Sequence, residues 1–269
     1  MTHTRQYWQK VPLVALPKGV LPRPICLLQR PLPPKSSVPA HSHPWGQLVY
    51  AYKGVLDVST PNGRYLLPPQ RAVWVPPHEK HTVASMAGAE VSSIYISVKE
   101  AAIIPQSCNV LEISPLLKEL ILESMKQPQE YDWTGPSGRL FRLIRDQIAI
   151  ANTVPLHLPL PTDPRLLKVC DMLLAEPANK DSLQLLAKHA GASERTLQRL
   201  FKAQTGTTFQ HWRQQLRIHI SLQRIAVEDI SITQLAGELG YDSTSAFIAM
   251  FQKQLGFTPG EYALNLNQH

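Results

Sequence analysis

Long apolar runs are missing from this 269-residue chain. Its opening residues, Met1-Thr2-His3-Thr4-Arg5-Gln6-Tyr7-Trp8, hold no apolar stretch of signal-peptide length, and no later stretch reaches the roughly 20 apolar residues of a membrane span. A cytosolic protein with no membrane partner is expected. Cysteine is scarce: Cys26, Cys108 and Cys170 form no close-spaced metal pair and would leave one over after any bridge, so reduced thiols are expected. Charged residues make up only 17% against 43% hydrophobic, which describes a globular chain with room for two cored domains and excludes a disordered one. Acid is scarcer than base, giving a net charge of +7, yet the excess is uneven: 16 Lys+Arg against 10 Asp+Glu in residues 1–162, and 11 against 10 in residues 163–269. The local shortage is more telling. Between residues 193 and 224, Arg195, Arg199, Lys202, Arg213, Arg217 and Arg224 face a single acid, Glu194, and a phosphate backbone would meet that cluster.

One pattern occurs twice. Ala187 stands four residues before Gly191, followed by Ser193-Glu194-Arg195-Thr196, then Leu197, Phe201 and Gly206; Ala236 stands four before Gly240, followed by Ser243-Thr244-Ser245, then Phe247, Phe251 and Gly256. The offset is 49 residues at Ala and the first Gly and 50 at the aromatic and closing Gly positions, so the second turn holds one extra residue. Two closely crossing helices need a small residue at the crossing and a turn glycine able to take positive φ, while apolar residues four apart mark the inward face of the second helix. Two helix-turn-helix units are expected, against an ordinary helical bundle that has no need of the same punctuation twice. Asp181 with Gln184 and Ser231 with Gln234 have capping-box spacing. Between the units, Phe209, Trp212, Leu216, Ile220 and Ile225 predict one long helix over Thr208 to Ala226, roughly 27 Å at 1.5 Å per residue. Such a rod could hold two recognition helices near one DNA turn, about 34 Å, apart.

The earlier part of the chain reads differently. Runs at residues 47–52, 55–58, 65–67, 72–75 and 91–97 are separated by Gly54, Pro61-Asn62-Gly63, Pro68-Pro69 and Pro76-Pro77, which predicts a β barrel or sandwich with a hairpin turn at residues 61–64. From 111 to 152 two helical stripes follow, around Leu117 and Ile144, suited either to packing on the β domain or to a dimer interface. Residues 153–164 hold four prolines and read as a stiff linker, with a first helix beyond it from Pro164 to Ala175. The expected domains are 1–110 (β barrel), 111–152 (helical pair), 153–164 (linker) and 165–269 (helical, holding the two helix-turn-helix units), an α+β two-domain fold.

The C-terminal hundred residues closely resemble the DNA-binding domain of the AraC/XylS family of bacterial transcription regulators. The residues that carry the likeness are Arg195-Thr-Leu-Gln-Arg-Leu-Phe201, Phe209-Gln-His-Trp-Arg-Gln-Gln-Leu-Arg217, Leu235-Ala-Gly-Glu-Leu-Gly-Tyr241 and Ser245-Ala-Phe247 running to Gly256-Phe-Thr-Pro259. The N-terminal half looks like the cupin sensor of one branch of that family. His41-Ser-His43 with Gln47 and Gly54, then Pro77 and His81, follow the two cupin motifs, with Gln47 where the motif has Glu and His78 where a glycine is usual. His41, His43 and His81, with Gln47, could hold Zn²⁺, Fe²⁺, Mn²⁺ or Ni²⁺, since imidazole suits them; a neutral amide weakens a hard-metal site. A metal-free pocket is the other reading. Trp45, Tyr50, Trp74 and His78 join His41, His43, Gln47 and His81 as expected ligand-pocket residues.

The resemblance implies a ligand-responsive regulator, a homodimer, that binds double-stranded promoter DNA and a small-molecule effector, with RNA polymerase a further candidate partner. No catalytic residue is expected. An iron-dependent oxygenase using the same histidines leaves the helical repeat without a role, and a constitutive DNA binder leaves the sensor without one. On the first recognition helix, Ser193, Arg195, Gln198, Arg199 and Lys202 are the expected DNA contacts. On the second the matching positions are Ser243, Ser245, Ile248 and Ala249, which replace charged readout by apolar contact and a helix-start phosphate site.

Overall fold

The structure, a computed structural model, describes residues 8–12, 20–68, 70–154 and 156–267. The opening segment Met1–Tyr7, Pro69 and the linker's Pro155 lie outside the described residues. Two compact units divide the chain, one of residues 8–60 with 65–156, the other joining residues 61–64 to the chain from 157 onward.

The first unit is built from β1 (Gln9–Lys10), β2 (Ile25–Leu32), β3 (Ser36–His41), β4 (Gly46–Gly54), β5 (Leu56–Thr60), β6 (Gly63–Leu67), β7 (Arg71–Val75), β8 (His81–Ser85), β9 (Ala89–Ile96), a helical turn α1 (Val98–Ala101), β10 (Asn109–Glu112), α2 (Pro115–Ser124), α3 (Pro136–Ala149) and β11 (Thr153–Val154). Its strands pair in the orders β1-β3-β8-β5-β6 and β11-β10-β7-β4-β9-β2. Among the described residues the ladders make two sheets and no closed barrel, so the expected barrel is corrected to a two-sheet arrangement. Residues 46–51 of β4 are buried on both faces, which is why they read as one continuous apolar run rather than an alternation. Leu48, Tyr50, Ala72, Trp74, Ile94, Ile96 and Ile25 share one face with Leu117, Ile121, Phe141, Ile144 and Ile148 of α2 and α3. The two helices therefore bury their apolar stripes on the sheet, each such side chain contributing about 1.5–3 kcal/mol. Ser114 caps α2 by accepting from Leu117 N–H at 3.1 Å, with Pro115 in the first turn. Within the stretch read as linker, Val154 pairs with Val110, so its first residues are part of the sheet.

The second unit holds β12 (His157–Pro159), α4 (Pro164–Ala175), α5 (Leu183–His189), α6 (Glu194–Thr205), α7 (Phe209–Val227), α8 (Ile232–Glu238), α9 (Thr244–Leu255) and α10 (Pro259–Asn267). Gly191 and Gly240 take φ of +70° and +77°, as the turn between paired helices requires. At Gly240 space adds a second reason, because a Cβ would stand 2.7 Å from the Ala178 carbonyl oxygen. Ala187 and Ala236 are 1% exposed, and Leu197, Phe201, Phe247 and Phe251 are fully buried. The α5 cap corrects the expected one: Ser182, not Asp181, accepts from Leu185 N–H, at 3.3 Å. Ser231 caps α8 through Gln234 N–H at 3.1 Å, but the Gln234 side chain turns to Glu238 instead of completing a box. Trp212 on α7 is fully buried, edge-on to Phe201 at 5.7 Å, and its indole N–H donates to the Pro159 carbonyl at 2.7 Å.

Candidate nucleic-acid interface and histidine pocket

Helix α6 buries Leu197 and Phe201 and exposes Arg195, Gln198, Arg199 and Lys202, which recur at the i, i+3, i+4, i+7 spacing of a single helix face. Ser193 caps it, accepting from Thr196 N–H at 3.2 Å. Among the described residues no hydrogen bond or ion pair engages Arg195 or Arg199. Gln198 donates to Glu194 one turn back at 2.9 Å, and Lys202 donates to the Gly206 carbonyl at 2.9 Å, so these two side chains would exchange a local contact for an outside one. On α9, Ser243 is the cap and accepts from Ala246 N–H at 3.1 Å, Ser245 and Ala249 are exposed, and Ile248 is half-buried.

The basic cluster read between residues 193 and 224 divides. Arg213 is 9% exposed, donates to the Asp181 carbonyl at 3.1 Å and lies over the Phe209 ring. Arg217 donates to the Pro177 carbonyl at 3.3 Å and stands 5.2 Å over the Tyr241 ring. Arg224 pairs with Glu228 and Glu238. These three hold the domain together, and of this cluster Arg195, Arg199 and Lys202 on α6 face outward. Arg213 ties the loop at residues 177–181 to α7, while Arg217 and the Lys180–Asp242 pair at 2.5 Å fasten that loop to the α8–α9 turn. Sequence spacing did not reveal this, because the partners are backbone carbonyls and a ring about 30 residues away.

In the first unit, His41 at the end of β3, His43 two residues beyond it and His81 at the start of β8 bring ligand nitrogens within 4.8 Å of one another. Register explains the meeting, since His41 pairs with His81 across the β3–β8 ladder. Each Nδ1 faces a backbone carbonyl: His41 to Pro39 at 2.8 Å, His43 to Trp45 at 2.7 Å, His81 to Glu79 at 2.9 Å. Burial lowers the pKa of all three, His81 to about 3, so the rings are neutral near pH 7 with the proton on Nδ1 and a lone pair on Nε2. Gln47 Oε1 then stands 3.0 Å from His43 Nε2 and 3.1 Å from His81 Nε2, acceptor facing acceptor, an arrangement that a cation between them would satisfy. The donor set therefore fits a divalent first-row metal: Nε2 of His41, His43 and His81 with Gln47 Oε1.

Trp45 belongs to this pocket, stacked on His43 at 5.3 Å, with Tyr95 edge-on to both. Three expected pocket residues do not. Tyr50 and Trp74 are one step out of phase with Gln47 and Val75, so they face the helix-covered core, where the Trp74 indole donates to the Pro105 carbonyl at 2.8 Å. His78 is exposed at a positive φ of 67° and meets His43 only through its backbone N–H. The sequence reading missed Ser93 and Tyr95 on β9, although their alternation with Ile94 marks them as facing together.

Residues 186–265 match the family model described as a helix-turn-helix domain, and residues 27–130 match the AraC-like ligand binding domain. The HTH-type transcriptional regulator NimR of Escherichia coli (strain K12) is 36% identical over 228 residues, covering 85% of this chain and 83% of NimR. RipA of Corynebacterium glutamicum, another HTH-type regulator, is 35% identical over 104 residues, 39% of this chain and 31% of its own length. Among solved structures, the DNA-binding domain of AdpA with a target DNA is 27% identical, covering 40% of this chain and 96% of that one, at a TM-score of 0.37. A β-rich ligand-binding unit followed by a helical DNA-binding unit defines a ligand-responsive regulator of transcription. This chain belongs to the AraC family of DNA-binding transcriptional regulators.

Proposed function

We propose that α5–α6 and α8–α9 are both helix-turn-helix units that bind one promoter duplex, and that a cupin-like pocket around His41, His43 and His81 senses the effector. The observation that carries the first part is the exposed stripe on α6, on which Arg195 and Arg199 have no hydrogen-bond or ion-pair partner among the described residues. Arg195 and Arg199 can each bind guanine bidentately and Gln198 can bind adenine, each good pair discriminating by about 1–3 kcal/mol. The matching positions of α9, Ser245, Ile248 and Ala249, offer thymine-methyl and backbone contacts instead, so readout is asymmetric. With a cation held by the three Nε2 atoms and Gln47 Oε1, the pocket gains a Lewis-acidic centre able to take an effector atom. The residues themselves orient and exclude water: Trp45 covers His43, and carbonyl contacts at each Nδ1 fix the rings. Within this reading the chain has no catalytic role and acts as a cytosolic homodimer, with exposed Leu116, Leu143 and Ile150 of the α2–α3 region as the paired surface and RNA polymerase as a downstream partner.

Fluorescence anisotropy on a promoter-length duplex at fixed salt tests the DNA assignment. Arg199→Ala is expected to weaken binding by about 1–3 kcal/mol and to relax base preference at one position. Unchanged affinity and preference would overturn the α6 assignment. Metal content of the purified full chain, measured by mass spectrometry before and after the double change His41→Ala and His81→Ala, tests the cation reading; equal, negligible metal in both removes it.

A further inference from the structure

Among the described residues, β2 ends its sheet, pairing with β9 on one side and with no strand on the other. Its register runs unbroken from Ile25↔Ile96 to Leu32↔Ala89, and two carbonyls set the phase. The Pro24 carbonyl turns toward β9 and accepts from Ser97 N–H at 2.9 Å, whereas the Ile25 carbonyl turns away and accepts from the Tyr131 hydroxyl at 2.6 Å. In an antiparallel ladder this alternation continues, so the N–H and C=O groups of Leu27 and Gln29 also point away from β9. Among the described residues no hydrogen bond engages them. The open stretch is short: Tyr131 occupies it at one end, and Pro31, which has no N–H, ends the run of donors at the other.

A cavity of about 330 Å³ lies along that edge, and its wall includes four consecutive residues, Cys26 to Gln29. Neighbouring side chains of a strand point to opposite faces; here Leu27 packs with the helix-covered core, and Cys26 and Leu28 pack with Trp45 and Tyr95. A space that touches all four residues therefore runs beside the backbone rather than over one face. The opposite wall comes from Met125 at the end of α2, Gln127 and Gln129 of the loop after it, and Tyr131 stacked on Phe141 at 4.6 Å. No lining residue is charged. An ion entering this space would lose hydration without gaining a counter-charge, which disfavours charged ligands. The volume falls within the roughly 300–1,000 Å³ of small-molecule sites, and an apolar wall with a few fixed polar groups is their usual composition. Two open residues are too few to seat a strand. The Leu27 carbonyl and the Gln29 N–H nevertheless flank one gap, an acceptor and a donor side by side on a rigid edge.

We propose that this cavity is a ligand site separate from the histidine pocket and independent of any metal there. It takes an uncharged flat molecule with an N–H donor beside an acceptor, such as a lactam, an imide or an amino-azine, paired to the Leu27 carbonyl and the Gln29 N–H. Three probes of similar size test the class: quinolin-2-one, which offers both groups, N-methylquinolin-2-one, which lacks the donor, and 2-naphthoate, which is anionic. The readout is the methyl NMR signal of Met125 in the full chain, assigned with Met125→Leu. Quinolin-2-one is expected to move it with a Kd of about 1 mM or tighter, and the other two probes to bind about tenfold more weakly. Gln29→Pro removes the outward N–H while leaving the ladder to β9 intact, as Pro31 already does at an equivalent position, and is expected to weaken quinolin-2-one about tenfold. Gln29→Ala keeps the N–H and is expected to stay within about twofold of the wild type. A Met125 signal that quinolin-2-one leaves in place, or equal binding of the three probes, overturns the site or its ligand class. Unchanged affinity in Gln29→Pro, or an equal loss in Gln29→Ala, overturns the pairing to the strand edge. Should Gln29→Pro fail to fold, the probe comparison on the wild type still decides.

Discussion

Cys108 shows how burial controls a single group. Desolvation pushes its thiol up to about 12, aided by the negative charge of Glu79, and burial raises Cys26 and Cys170 in the same direction. Since the thiolate is the reactive form, its population in the folded protein near pH 8 is small. Thiol titration with a chromogenic disulfide at pH 8 is therefore expected to be slow on the native chain and to count all three cysteines rapidly after denaturation; a rapid native reaction would contradict this. Tyr262 offers a stability test. It is 1% exposed and its hydroxyl donates to the Leu222 carbonyl at 3.1 Å, so Tyr262→Phe is expected to cost about 1 kcal/mol in a denaturant melt. The same scale shows the limit of sequence reading. His41, His43, Gln47 and His81 were legible because their spacing is a motif. Tyr50 and Trp74 were not, because β4 and β7 are buried on both faces and alternation alone cannot say which face meets the histidines.

At the scale of elements, the paired helices were legible almost in full: α4 starts and ends at Pro164 and Ala175 as read, and the second helix of each pair follows its glycine turn. That legibility comes from local chemistry, since a small residue, a positive-φ glycine and an inward aromatic each follow from one helix crossing. Strands β2, β3, β8 and β10 went unread because their proline, polar and half-buried residues carry no clean period. The latch between α7 and the α8–α9 turn was equally silent. Its consequence is testable: Arg217→Ala removes a cation–ring contact and a carbonyl hydrogen bond and is expected to destabilise the domain by about 1–2 kcal/mol. If the latch sets the attitude of α9, the same change should fade the footprint over the second groove segment more than the first. Equal weakening of both segments would assign Arg217 to general stability alone.

For the whole molecule, the net charge of +7 overstates what DNA would meet. With Arg213, Arg217 and Arg224 engaged internally, Arg195, Arg199 and Lys202 remain of that cluster, and phosphate contacts by these three alone would make log affinity fall with log salt at a slope of about −3 per monomer. A slope twice as steep would mean that further cations reach phosphate, either the exposed Lys188 and Lys253 or interior arginines that leave their partners on binding. The way the chain enters the helical unit has a mechanical meaning as well. Gln204, in the last turn of α6, receives the N–H groups of Thr162 and Asp163 on its side-chain oxygen at 2.9 and 3.0 Å, while Trp212 of α7 grips Pro159 three residues earlier. The incoming backbone is thus moored at two points, and Gln204→Ala would cast off residues 162–163 from the end of α6 opposite its cap while leaving the Pro159 mooring on Trp212 in place.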